Sequence, residues 1–231
     1  TDDPEVKTRL QKRIEELEEE ALLNPPPITL ELKAATVTET LKQLGKTVGM
    51  QWKPWPPISW EQRFIPQYTV TMKEKSFAEV MAALESQGAL RPMQDGQMLH
   101  RKQPLTNGVV SKDFLFYPMS ASYLASVSYQ GEEGDAPTVT LSYRVIADPR
   151  LRILAYARSA LTSVKDTEGH ELLKAEAPNN QQMIPHIGEE DNWSFDMSDT
   201  LDASVAGAPG HGARIALAKG VARFRVVSGE R

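Results

Sequence analysis

Residues 28–52 read ITLELKAATVTETLKQLGKTVGMQW, and residues 68–93 read YTVTMKEKSFAEVMAALESQGALRPM. They are one unit written twice. Each opens on alternating apolar positions, Ile28, Leu30 and Leu32 in the first and Tyr68, Val70 and Met72 in the second, the period of a half-buried strand. Each then reaches a hydroxyl residue followed three positions later by Glu: Thr36-Val37-Thr38-Glu39 and Ser76-Phe77-Ala78-Glu79. This is the capping-box pattern, in which hydroxyl and carboxylate satisfy each other's backbone N–H. Behind the caps, Val37, Leu41, Leu44 and Val48, and Phe77, Val80, Met81 and Leu84, recur at helical spacing. Gly49 and Gly88 stand where a helix end favours a left-handed residue. Strands are expected at Met50 to Lys53 and Leu90 to Arg101, the latter folding back at Asp95-Gly96. Two one-sided strand–helix–strand units must share a core, so the stretch predicts a small sheet covered by two helices.

These residues, with the continuation QDGQMLHRK, resemble the secretin and TonB N-terminal short domain over residues 25 to 103. The resemblance implies a non-catalytic, protein-binding duplicated βαβ domain of envelope proteins. It carries no catalytic motif to this chain. The chain departs from the family in the Pro- and Trp-rich joint between the two units, and it shows no pore-forming or barrel region.

Upstream, Val6, Leu10, Ile14, Leu17 and Ala21 recur at helical spacing in a highly charged setting. They predict an amphipathic helix over residues 4–23, capped by Asp2 or Asp3 with Pro4 in its first turn. Asn24-Pro25-Pro26-Pro27 ends it and makes a stiff linker. Between the two repeated units lies Gln51-Trp52-Lys53-Pro54-Trp55-Pro56-Pro57-Ile58-Ser59-Trp60. Large aromatics on a proline-stiffened loop suit a binding hot spot, which makes Trp52, Trp55 and Trp60 the candidate binding residues. The competing reading folds these rings down as a lid or as a wedge between domains.

Past the turn cluster at residues 103–108 the pattern becomes all-β. Thr138 to Ala147 alternates with Val139, Leu141, Tyr143 and Val145 on one face, and Leu151 to Ala157 follows the Asp148-Pro149 turn. Trp193, Phe195 and Met197 alternate, and Ala213 to Val227 reads as a hairpin across Lys219-Gly220. Short strands at this spacing predict a β-sandwich. Residues 178–191 lack any period and read as a long loop.

The fold class is therefore α+β: an N-terminal helix and linker (1–24), a duplicated βαβ domain (25–104) and an all-β sandwich domain (105–231). A hydrophobic share of 40% and a charged share of 25% belong to a globular chain rather than a disordered one. The net charge of −5 argues against nucleic acid as a partner. Zero cysteines exclude disulfides and thiolate metal sites. No apolar run approaches the ~18 residues of a membrane span. The chain opens on Thr1, and the expected location is periplasmic or secreted, with a signal peptide removed.

No nucleophile elbow, phosphate loop, dinucleotide fingerprint or zinc-protease motif occurs. His186-Ile187-Gly188-Glu189-Glu190-Asp191 is the densest acidic cluster, but it lacks calcium-loop spacing and reads as a solvated loop. His211, His100 and His170 have no neighbours that would make a ligand set or a base. The expectations are no metal, no cofactor and no catalytic residue, in a binding or assembly module that contacts another envelope protein. A carbohydrate-binding protein using the Trp loop is the first alternative. A hydrolase with its site in an inter-domain cleft is the second.

Overall fold

The computed structural model describes residues 25–55, 67–92, 97–101, 107–124, 138–167, 169, 171, 183–185, 193–202 and 215–228. The expected helix over 4–23 and Trp60 lie outside these residues. So do the Asp95-Gly96 turn, the 186–191 acidic cluster and His211. The described part is mostly β-strand with two helices.

β1 (Ile28–Ala35) leads through the Thr36 cap into α1 (Val37–Val48), and the chain then forms the short β2 (Lys53–Pro54). β3 (Tyr68–Lys75) leads through the Ser76 cap into α2 (Phe77–Gln87), then β4 (Ala89–Pro92) and β5 (Gln97–Arg101). Both capping boxes are complete: Thr36 accepts from Glu39 N–H and Ser76 from Glu79 N–H, and each Glu accepts the N–H of its cap residue. All eight apolar helix positions read from the spacing are buried. Gly49 is left-handed, with φ 73°, and closes α1 with its N–H on the Gly45 carbonyl. Gly88 differs from expectation. Its φ of −178° is extended, because the chain runs straight from α2 into β4 and needs no reversal there.

β1 and β3 pair antiparallel, while β2, β5 and β4 form a second small sheet in that order, with β2 parallel to β5. The β1–β3 pair is closed at its two ends in matching ways. Ala34 N–H donates to Thr69 Oγ1 at 3.1 Å, and Glu74 N–H donates to Thr29 Oγ1 at 3.3 Å. Ala34 and Glu74 both sit in the left-handed region, with φ 51° and 55°.

The remaining strands are β6 (Val109–Ser111), β7 (Phe114–Leu124), β8 (Thr138–Ala147), β9 (Leu151–Asp166), β10 (Met183–Pro185), β11 (Ser194–Asp202) and β12 (Ile215–Ser228). They make two antiparallel sheets, β11-β8-β7-β6 and β10-β9-β12. Aromatic rings join the sheets: Phe114 stacks on Phe224 at 4.4 Å, Tyr156 on Phe195 at 5.5 Å, and Phe195 meets Phe224 edge-on at 5.9 Å. β8 occupies the span read from its alternation. The hairpin expected at Lys219-Gly220 is instead one continuous strand. β12 pairs with β9 throughout, and its register shifts between Lys219 and Gly220. The same strand shifts register at three further points that carry no glycine, between Ile215 and Leu217, Val221 and Arg223, and Arg225 and Val226. Part of the expected 178–191 loop is likewise a strand, since Met183–Pro185 pairs with Ala155–Ala157.

The turn from β8 to β9 is built by Asp148. Its buried carboxylate accepts from Arg150 N–H, Nε and Nη2 at 2.9, 2.9 and 2.6 Å, and Leu151 N–H donates to its carbonyl at 2.9 Å. Arg150 Nη1 also donates to the Pro26 carbonyl at 2.7 Å, so the turn holds the segment that leads into β1. The main-chain carbonyl of Asp113, in the β6–β7 turn, accepts from Asp148 N–H at 3.1 Å. Burial, with the Asp148 charge behind it, raises the Asp113 carboxyl above its ordinary value.

One apolar core runs through both halves of the described chain. It takes in β1, β3 and both helices, and continues without a break into Leu115, Tyr117, Ile146 and Trp193.

Candidate functional site

The three candidate tryptophans are placed differently. Trp52 is buried in the core, its ring 6.0 Å from that of Trp193. Trp193 in turn meets Phe77 of α2 edge-on at 5.7 Å. Trp52 therefore belongs to the packing between the helical layer and Trp193, the residue that leads into β11. Its Nε1 has no hydrogen-bond partner among the described residues.

Trp55 is 44% exposed. It follows β2 directly, and its N–H donates to the Met98 carbonyl of β5 at 3.1 Å. A backbone tie to the middle strand of a sheet fixes the main chain of this residue and leaves its ring exposed. Trp60 lies outside the described residues.

A second constellation, unmarked in the sequence reading, lies where α2 packs on β7 and β8. Glu85 of α2 is completely buried, and neither carboxyl oxygen has a hydrogen-bond partner among the described residues. Tyr117 Oη from β7 and Arg144 Nη1 from β8 are buried and unpartnered in the same way. Arg144 turns its other two nitrogens to Asp196 of β11, Nε to Oδ1 and Nη2 to Oδ2, each at 2.8 Å. The two residues are direct cross-strand partners, which gives the guanidinium fork its bidentate geometry. Tyr68, also buried, donates its hydroxyl to the Gly88 carbonyl at 2.9 Å.

Burial pushes the Glu85 carboxyl up to about 8. The Tyr117 hydroxyl and the Arg144 charge pull it the other way by less, and neither meets full hydrogen-bond geometry with it. The Tyr68 and Tyr117 phenols are both raised, first by burial and then by the Glu85 charge. Glu85 is closed off from solvent, so it cannot hand a proton to a substrate outside. Its sequence signal was its position. It falls four residues after Met81 and eight after Phe77, on the apolar stripe of α2, where a charged residue meets a neighbour instead of water.

Among the described residues no group of three or more His, Cys, Asp or Glu is placed to hold a metal ion. No helix among them is long and apolar enough to cross a membrane, which says nothing about β-barrels. His100 lies on β5, and His170 is outside the described residues. Comparisons with protein-family models, curated proteins and solved structures found no match to this chain.

Proposed function

We propose that this chain is a non-catalytic binding or assembly module of the cell envelope or of a secreted system, and that Trp55 anchors its protein partner. The observation that carries the reading is a large ring left nearly half exposed while its backbone is tied to β5. An exposed, pre-positioned tryptophan beside a two-residue edge strand suits a hot spot with room for strand addition at the sheet margin. The finer description of the fold belongs to the same proposal. The reciprocal Ala34–Thr69 and Glu74–Thr29 bonds and the two capping boxes support a duplicated βαβ unit of the secretin and TonB short-domain kind. The aromatic contacts between the two antiparallel sheets support a β-sandwich.

The test is affinity capture from envelope extracts, with wild type beside Trp55→Ala. A partner that is captured by the wild type and lost in the variant supports the reading, provided stability is held. Because Trp55 is exposed, Trp55→Ala is expected to shift stability by no more than about 0.5 kcal/mol. Trp193→Ala, in the core, is expected to cost about 3–5 kcal/mol. A Trp55→Ala loss as large as that of Trp193→Ala would overturn the anchor. Retention on polysaccharide instead of protein, with quenching of Trp55, would favour carbohydrate recognition, since an exposed indole face also stacks on sugar rings.

A further inference from the structure

We propose that Glu85, Tyr117 and Arg144 form a proton-operated latch, which seats α2 on β7 and β8 while Glu85 is neutral and loosens that contact when Glu85 ionises. The geometry suits a neutral acid. Both oxygens of Glu85 are buried, and no described donor meets full hydrogen-bond geometry with them, although the Tyr117 hydroxyl lies close. The cation facing Glu85 is Arg144, and two of its donors are committed to Asp196 on β11.

The other groups on the elements packed against α2 leave one uncommitted neutral donor, the Tyr117 hydroxyl. Tyr68 of β3 has given its hydroxyl to Gly88. Tyr117 of β7 is unpartnered. β6 carries no ionisable residue, and the side chain of Arg91 on β4 lies outside the described set. A carboxylate left in this seam is a buried charge without hydrogen bonds, among the most unfavourable arrangements in a protein interior. It is relieved only when Tyr117 Oη or Arg144 Nη1, both unpartnered in the seated state, shifts onto the carboxylate, or when water enters between helix and sheet. The upward shift of the Glu85 carboxyl has the same physical origin.

The seam that opens is the one that Trp193 holds, with its ring against Phe77 of α2 and beside Trp52. Those two indoles therefore report on the latch directly. In the full chain carrying Trp55→Phe and Trp60→Phe, emission is followed from about pH 6 to about pH 9.5, a range that spans a raised carboxyl and stops short of ordinary tyrosine ionisation. The expected result is a reversible red shift with its midpoint near 8 and with the far-ultraviolet helix signal retained. Glu85→Gln, which keeps the shape and cannot ionise, is expected to abolish the shift. A flat wild-type profile overturns the latch, and so does a shift that persists in Glu85→Gln. Should Glu85→Gln fail to fold, carbon-detected titration of Glu side chains in the unmodified chain decides. One carboxyl titrating together with the emission change supports the latch. All carboxyls titrating in the ordinary acid range overturn it.

Discussion

Ala34 and Glu74 occupy the same place at opposite ends of the β1–β3 pair. Each has left-handed backbone angles, and each donates its N–H to the threonine that begins the other strand's exposed face. Each lies two residues before a capping box. The kink turns the chain out of the strand and into the helix, so the direction in which α1 and α2 leave the sheet is set by two strained residues and two threonine hydroxyls.

Relieving that strain should stabilise the protein. A left-handed non-glycine residue costs about 1–2 kcal/mol, and glycine returns about 0.5–1 kcal/mol of that as unfolded-chain entropy. Ala34→Gly and Glu74→Gly are therefore each expected to gain up to about 1 kcal/mol, read as a higher urea midpoint with an unchanged slope. Ala34→Val, β-branched at a positive φ, is expected to lower the midpoint.

Gly45 should tolerate no side chain. A Cβ there would collide with the Met50 carbonyl oxygen and come within 3.3 Å of the Trp52 ring. Met50 N–H donates to the Gly45 carbonyl at 2.9 Å, so the chain after α1 doubles back closely over the helix. Gly45→Ala, which would stabilise an ordinary helix, is expected here to cost about 1–3 kcal/mol. Thermal unfolding monitored at α1 checks the sign.

The Ser76 cap carries a pH signature. Lys75, with the Ser76 backbone N–H behind it, holds the Glu79 carboxyl below its ordinary 4.5. A depressed carboxyl contributes stability that is present above 4.5 and lost as pH falls through its own lower value. Ser76→Ala is expected to cost about 1 kcal/mol near neutrality, and Glu79→Gln to flatten the acid limb of the stability profile. Denaturant midpoints at several pH values between about 2 and about 7 test both. Glu85, six positions along the same helix, acts with the opposite sign. Its raised carboxyl makes stability fall as pH climbs from 4.5 towards 8, because the folded chain holds a proton that the unfolded chain has released.

The local part of this structure was legible from residue order. Hydroxyl-x-x-Glu before an apolar period is a short-range signal, and both helices start where it places them. Thr138–Ala147 was equally plain, since a strict two-residue period admits one strand reading. Glycine was the ambiguous letter. Gly88 and Gly220 each follow residues that suit a turn, yet one is extended and the other lies within a strand at a register shift, and the deciding partners, β4 and β9, are set by tertiary pairing. Glu85 was legible only as a charge on an apolar stripe. What makes it unusual comes from Tyr117 and Arg144, which join it through the fold and not through sequence. Of the Trp-rich joint, the composition could not tell that Trp52 packs inward on Trp193 while Trp55 faces out.

The pairing of β9 with β12 has a consequence for how the chain is made. Leu151 meets Ser228, and Asp166 meets Ile215, so β9 is synthesised well before the strand that completes it. During synthesis, β9 waits as a long edge, flanked on its other side, among the described residues, by the three residues of β10 and the Lys165–Glu171 bridge. Closing so distant a pair is slow, and an uncovered strand of that length invites pairing with another chain. Ala155 and Ala157 are buried in the finished sheet, where they face Arg225 and Arg223 across the ladder. Until those arginines arrive, the nascent chain is at its most exposed to aggregation, and that is the interval in which a chaperone would have something to hold.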